Sequence, residues 1–487
     1  MSERVEPRLF RGLRDLMPQP SLAREWMLER IRGVYELYGF VPVATPAIEY
    51  VEVLTGSQAG EEAQHSIFTV SNPDRSGDAG GDALGLRFDL TVPLARLVAQ
   101  YPDLPRPFRR YQVASVWRAD KPDRGRFREF TQFDLDSVGV ESEVADTEIV
   151  AGMCDTLSAL GIDAYQVRFS SRRLLNLLLS YAGVPHERGT DVFRVLDKLD
   201  KVGPEKVRLE LTEGYVDESG DPIKGLGLAG DQVDRIERFV AIRSQDRDEV
   251  VAELRELFSG LSEAAAEIDV VRRISSHLEA LGYGDDKVVL DLSVARGLAY
   301  YTGPVFEAVL TEAPQFGSVF GGGRYDDLVM RFLGEKIPAT GASIGVDRLL
   351  AVLDHLGRLS ARASTAQVLV TALDPALMDD YLAMTWELRR AGIPTELYLG
   401  GETRIGKQLR YADACGVPLA LLYGSNEKER GVVTLKDMDV GRRRAKKVAD
   451  REQWLDERPG QREAPRAELV ATVREMLAAI ERTRGGC

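Results

Sequence analysis

The chain has 487 residues, 44% hydrophobic and 29% charged, a balance expected of a soluble chain with roughly two to four domains. Its net charge of −14 argues against a protein that coats nucleic acid with its whole surface, while leaving room for local basic clusters. Cys154, Cys415 and Cys487 are far apart and odd in number, which excludes a disulfide framework or a zinc-binding spacing. The charged N-terminus and the lack of any bilayer-length apolar run make a cytoplasmic protein without a membrane partner the expectation.

In chain order, residues 22–38 carry apolar positions at helical spacing and stop at Gly39. The stretch 39–49, GFVPVATPAIE, reads as a strand broken by Pro42 and Pro46. Each proline removes a ladder donor, which confines the segment to a sheet edge or an interface. Residues 71–85, rich in Gly and Asp, read as a hairpin tip, followed by a short strand and a helix opening near Thr91 and Pro93. Strands are expected at 113–117 and 130–138, around a turn at 120–125 that contains Pro122 and Gly125. A helix follows over 142–161. Residues 172–281 are mostly helical in pattern and heavily charged, and read as a helical insertion. Strand signals return at 287–292 and 305–310, and 317–326 (GSVFGGGRYD) reads as a glycine-rich turn. Residues 341–356 run from strand into helix. After a linker-like break at 358–366, strands at 367–372, 394–399, 419–423 and 431–436 alternate with helices at 377–391 and 405–415. That spacing predicts a compact α/β domain with a largely parallel sheet.

The chemistry gathers on the predicted hairpin. Between Arg106 and Arg128 stand eight Arg or Lys and only two Asp. Projected from a loop, Arg118, Arg126 and Arg128 can grip phosphate oxygens, because guanidinium presents a planar fork of donors. A solvated loop whose cations pair with acids elsewhere would have the same composition. A second basic cluster, Arg442, Arg443, Arg444, Lys446 and Lys447, reads as a solvated face. Residues 401–407, GETRIGK, match part of a phosphate-binding loop. Gln408, however, stands where the magnesium-ligating hydroxyl belongs, so the stretch reads as an ordinary strand-to-helix loop.

The Pro46 edge strand, the hairpin VWRADKPDRGRFREFTQFD and the stretch GASIGVDRLL together resemble the three motifs of class II aminoacyl-tRNA synthetases. Residues 294–307 (VARGLAYYTGPVFE) and 321–326 (GGGRYD) narrow the resemblance to the histidyl-tRNA synthetase family, and the match runs nearly the full length. It implies an α+β chain: a catalytic core of residues 1–171 and 282–358 on an antiparallel sheet of roughly six or seven strands, a helical insertion at 172–281, and a C-terminal α/β anticodon-binding domain at 366–487. The implied reaction is activation of L-histidine by ATP to histidyl-adenylate, then transfer to tRNA(His), by a homodimer using Mg2+ with ATP and no dedicated protein ligands for the metal. The resemblance places Arg118 and Arg296 at the α-phosphate and Arg348 at the far end of the triphosphate; Arg126, on the returning side of the loop, reads as a further ATP contact or as a structural partner of a nearby acid. It places Asp89 and Thr91 at the histidine α-amino group, Gln132 and Arg296 on the substrate, and Asp136 and Tyr301 at the imidazole. Loop 121–124 would face the tRNA acceptor end. Tyr300 and the four histidines, His65, His186, His277 and His355, read as structural or surface residues. Ala299 stands where the family usually has Asp, and a non-catalytic regulatory relative that keeps the fold is the alternative reading.

Overall fold

The computed structural model describes residues 4–56, 67–71, 83–122, 125–217, 220–294, 301–359, 363–440 and 460–484. The chain divides into two compact units, one of Met1–Arg14 with Met27–Arg358, the other of Asp15–Trp26 with Leu359–Cys487.

The first unit is built on an eight-stranded sheet. In spatial order its strands are Val41–Pro42, Phe108–Trp117, Glu129–Val138, Ala339–Gly345, Ser318–Arg324, Pro304–Leu310, Tyr165–Ser171 and Val288–Leu290. The interior pairings are all antiparallel, and the two outermost ones are parallel. The sheet therefore exceeds the strand count expected from sequence by its short edge pieces. Pro42 sits in one of those edges, where its missing N–H costs no ladder bond. The predicted hairpin is longer than its pattern suggested: ten residues of Phe108–Trp117 pair in continuous register with ten of Glu129–Val138.

Alternation along the return strand sends Phe133 and Leu135 to one face, where Phe133 meets the buried Tyr35 edge-on with ring centroids 5.0 Å apart. The helix Val144–Ala159, buried along most of its length, packs against the sheet as well. Gln132, Asp134 and Asp136 turn to the other face.

The stretch 317–326 is not a turn. Ser318–Arg324 is an interior strand, with Gly321, Gly322 and Gly323 opposite Ser343, Ala342 and Gly341. Glycine is demanded by close approach rather than by chain reversal. A Cβ on Gly322 would lie 2.2 Å from the Gly341 carbonyl oxygen, and one on Gly323 would lie 3.0 Å from the Tyr301 ring.

The segment read as an insertion is helical as expected, from Arg172–Ala182 to Ala264–Ala280. A small hairpin pairs Gly214–Val216 with Pro222–Lys224 inside it.

In the second unit the sheet order is Thr395–Leu397, Val368–Val370, Leu419–Leu422, Val432–Asp437, Gln461–Pro465. The first three strands run parallel and the last two pairings are antiparallel, so the sheet is mixed rather than largely parallel. The link at 423–431 holds only the short helix Ser425–Arg430, too little chain for a parallel crossover. The helices Met378–Arg390 and Leu469–Arg484 bury Tyr381, Met384, Leu388, Val473 and Leu477 in its core. The basic cluster at 442–447 and the glycine-rich tip at 72–82 lie outside the described residues.

Candidate active site

On the polar face of the large sheet lies a cavity of about 410 Å³. Its walls come from the hairpin, the glycine strand and the start of the helix Val346–His355. It brings together Arg118, Arg126, Gln132, Tyr301 and Arg348, residues scattered over more than two hundred positions of sequence. Asp120, Lys121, Phe127, Phe130, Ser343 and Asp347 also line it.

Arg118 and Arg348 are each held by a backbone carbonyl. Arg118 closes the outgoing strand; its Nε donates to the Phe88 carbonyl at 2.9 Å and its guanidinium lies 5.2 Å from the centre of the Phe130 ring. Arg348 follows the strand-to-helix turn at Gly345, and its Nη1 donates to the Ser318 carbonyl at 2.5 Å. The backbone turn places the arginine at the mouth, and the carbonyl limits where its planar fork can swing. Arg126 lines the cavity from the hairpin tip, whereas Arg128 does not reach it. Arg128 instead donates to the carbonyls of Asp120 and Arg11, both at 3.2 Å. Of the hairpin's three predicted phosphate-gripping arginines, one thus serves the loop's own shape.

On the floor, the Gln132 Nε2 donates to the Ser343 hydroxyl at 2.8 Å, and its buried Oε1 has no hydrogen-bond partner among the described residues. That leaves an acceptor with a desolvation cost to recover. Tyr301 packs over Gly323.

Asp136 and Asp89 do not line the cavity. Asp136 faces the wholly buried Arg110, whose Nη2 lies 2.8 Å from Oδ2, and it accepts a hydrogen bond from the Tyr325 hydroxyl. Burial raises the Asp136 carboxyl's pKa, and Arg110 and then the Tyr325 hydroxyl pull it back. Burial likewise pushes Asp134 up, to about 7, against the pull of Arg110 and with Asp136 adding to the rise. Asp89 accepts the Val92 N–H at 3.0 Å and so caps the helix Thr91–Gln100, whose first residue is Thr91. Its pKa is raised by burial, against the pull of the Val92 N–H and of Arg118.

Arg110, Asp134 and Asp347 were not singled out from sequence. A signal existed for Asp134, since the period of two puts it on one face with Gln132 and Asp136. Arg110 was counted only as a hairpin cation; its burial depends on pairing opposite Asp136. Arg296 and Ala299 lie outside the described residues.

In the second unit, the GETRIGK lysine is engaged. Lys407 Nζ lies 2.6 Å from Glu402, which Arg404 also binds, and together they draw the Glu402 carboxyl down to about 2. The buried Gln408 donates to the carbonyls of Ala372 and Glu402, both at 2.8 Å, and fastens the loop to the sheet.

Residues 12–349 match the family described as histidyl-tRNA synthetase, and residues 367–458 match an anticodon binding domain. A histidine--tRNA ligase of Cereibacter sphaeroides is 45% identical over 98% of this chain and 99% of its own length. The crystal structure of histidyl-tRNA synthetase from Nostoc superposes with a TM-score of 0.80 at 30% identity, covering 97% of this chain and 100% of that one. An ATP phosphoribosyltransferase regulatory subunit/histidyl-tRNA synthetase from Bacillus halodurans shares the fold with a TM-score of 0.66 at 24% identity, over 83% of this chain and 97% of that one. A family match over most of the chain, with close relatives along its whole length, carries the conclusion: this chain belongs to the histidyl-tRNA synthetase family.

Proposed function

We propose that this protein charges tRNA(His) with histidine, and that the cavity on the large sheet is where ATP and L-histidine first react. The observation that carries the reading is the convergence of Arg118, Arg126 and Arg348 beside Gln132 and Tyr301 in one cavity, in a chain that matches histidine--tRNA ligases end to end. In the first step the histidine carboxylate attacks the α-phosphorus of ATP, pyrophosphate leaves, and histidyl-adenylate forms. The amino acid brings its own nucleophile, so the protein needs no general base. What its residues supply is orientation and fixed positive charge.

Arg118 sits on the hairpin side, where the α-phosphate is expected, with Arg126 beside it and Arg348 toward the triphosphate end. Arg296 completes the α-phosphate contacts in this reading. Gln132 offers its unpaired Oε1 to the histidine ammonium; Asp89 and Thr91 are assigned to that end by the motif resemblance, and neither lines the cavity itself. Tyr301 and Asp136 read the imidazole. With Asp136 already shared by Arg110 and Tyr325, its part is to orient donors next to the ring. Magnesium enters with ATP as part of the substrate and neutralises phosphate charge. Among the described residues the carboxylates on the cavity wall are Asp120 and Asp347, and Asp347 is already engaged by Arg14 and the Thr131 N–H.

Loop 121–124 faces the acceptor end of the tRNA, the segment 172–281 is an insertion domain, and residues 366–487 hold the anticodon. A cytoplasmic homodimer belongs to the same reading; the exposed Val41 on the edge strand of the large sheet, with the exposed Ile48 and Tyr50 on a strand of a separate three-stranded sheet, supports a second copy. No helix among the described residues is long and apolar enough to cross a membrane.

The test is histidine-dependent exchange of labelled pyrophosphate into ATP, followed by aminoacylation of tRNA(His). Absence of both in the wild type, with recovery in A299D, would turn the reading to a retired, regulatory relative.

A further inference from the structure

We infer that Arg14 is a positioning residue for the ATP side of the cavity, an inference that rests on the function proposed above. The segment from Phe10 to Arg14 was legible in sequence only as part of a charged N-terminus. In the fold it is a strap laid across the hairpin loop. Gly12 has φ +91°, and a Cβ there would meet Pro122 Cγ at 2.8 Å and Arg128 Cδ at 2.9 Å, so chain and loop are in direct contact. The Arg128 N–H donates to the Gly12 carbonyl at 2.9 Å, and the Arg128 guanidinium lies 5.3 Å from the centre of the Phe10 ring.

Arg14 makes the two contacts that matter for the cavity. Its guanidinium stacks 3.9 Å from the centre of the Phe127 ring, and its Nη2 donates to Asp347 Oδ1 at 2.5 Å. The other oxygen of Asp347 accepts the Thr131 N–H at 2.5 Å. Phe127 and Asp347 both line the cavity, and Asp347 immediately precedes Arg348 in the first turn of its helix. One guanidinium therefore joins the loop wall that carries Arg126 to the helix start that carries Arg348. A carboxylate with donors on both oxygens is fixed in rotation, and the helix end turns with it. Without Arg14, the loop and the helix start lose their shared fastening, and the phosphate-binding arginines lose their common frame. The histidine side, Gln132 with Ser343, is held by bonds that do not involve Arg14.

The experiment compares wild type, R14A and R14K. ATP and histidine affinities are read by titration calorimetry, thermal midpoints by calorimetric scanning, and activity by pyrophosphate exchange. R14A is expected to weaken ATP affinity on the order of tenfold, with histidine affinity changed by less than about twofold. R14K keeps a charge for Asp347 but gives up the planar stack on Phe127, and should fall between the two. If R14A does not fold, R14K carries the same comparison. Equal losses for ATP and histidine, or no loss for ATP, would overturn the inference and leave Arg14 a plain structural tie. Wild type that binds ATP without exchanging pyrophosphate removes the functional reading, while the ATP-affinity ratio still decides Arg14. Wild type that binds no ATP overturns both.

Discussion

Two kinds of arginine occupy the hairpin, and their backbone supports distinguish them. Arg118, on the hairpin, and Arg348, on the helix Val346–His355, each donate to a backbone carbonyl while lining the cavity, whereas the hairpin's Arg128 donates to the Asp120 and Arg11 carbonyls and lies outside it. Removing the charge of Arg118 or of Arg348 should slow pyrophosphate exchange by roughly 10²–10³-fold, the usual cost of losing a preorganised partner to developing charge. K407A should leave ATP affinity unchanged, because Lys407 is committed to Glu402 and lies in a different unit; a weakened affinity would revive the phosphate-loop reading. Asp134 gives a pH-dependent test. Its folded carboxyl titrates above the ordinary range, near 7, so the folded chain holds that proton more tightly than the unfolded one. Folding therefore loses stability as pH rises from about 4 through that value. D134N cannot ionise, so its melting midpoint should gain on wild type at pH 8 relative to pH 5. An equal difference at both values would show that the burial cost is met elsewhere. The roles of Arg118, Gln132 and Arg348 could be proposed from motif resemblance, and the cavity's convergence supports them. That Arg128 would hold carbonyls could not be foreseen, because composition does not say which cation points inward.

The elements carry the site through two devices, a long antiparallel hairpin and a glycine-lined strand beside it. The hairpin was legible because alternation and turn residues are local signals. The glycine strand was not. Three consecutive glycines favour a turn on local grounds, and only the approach of the neighbouring strand and of Tyr301 makes them necessary. The same crowding makes a prediction at Gly341, where a Cβ would fall 2.0 Å from Asp136 Oδ1. G341A should cost about 1–3 kcal/mol, measured by chemical denaturation, because the strand must move away from a buried, paired carboxylate. A neutral G341A would mean that this strand yields more easily than its interior position implies. The mixed sheet of the second unit was missed for a related reason. Strand and helix patterns fix what each piece is, while the direction of pairing depends on how far each connection can reach.

For the molecule as a whole, net charge and binding chemistry point in opposite directions. A chain of charge −14 repels nucleic acid on average, so contact with tRNA must come from local clusters. The affinity for tRNA(His) should then fall steeply with salt, by more than about tenfold between 50 and 200 mM. A flat response would place recognition in uncharged contacts instead.

The sequence alone carried the family resemblance and most of the order of elements, and it proposed the substrate-side candidates. These rest on short-range periodicity and on motifs whose residue types are set by phosphate and carboxylate chemistry. Folding settles which of those side chains share one cavity, that Asp136 is held by Arg110 and Tyr325, and that the strap at Arg14 fastens loop to helix. Each of these depends on residues far apart in sequence meeting across a sheet, and no local pattern encodes a distance between segments that become neighbours only on folding.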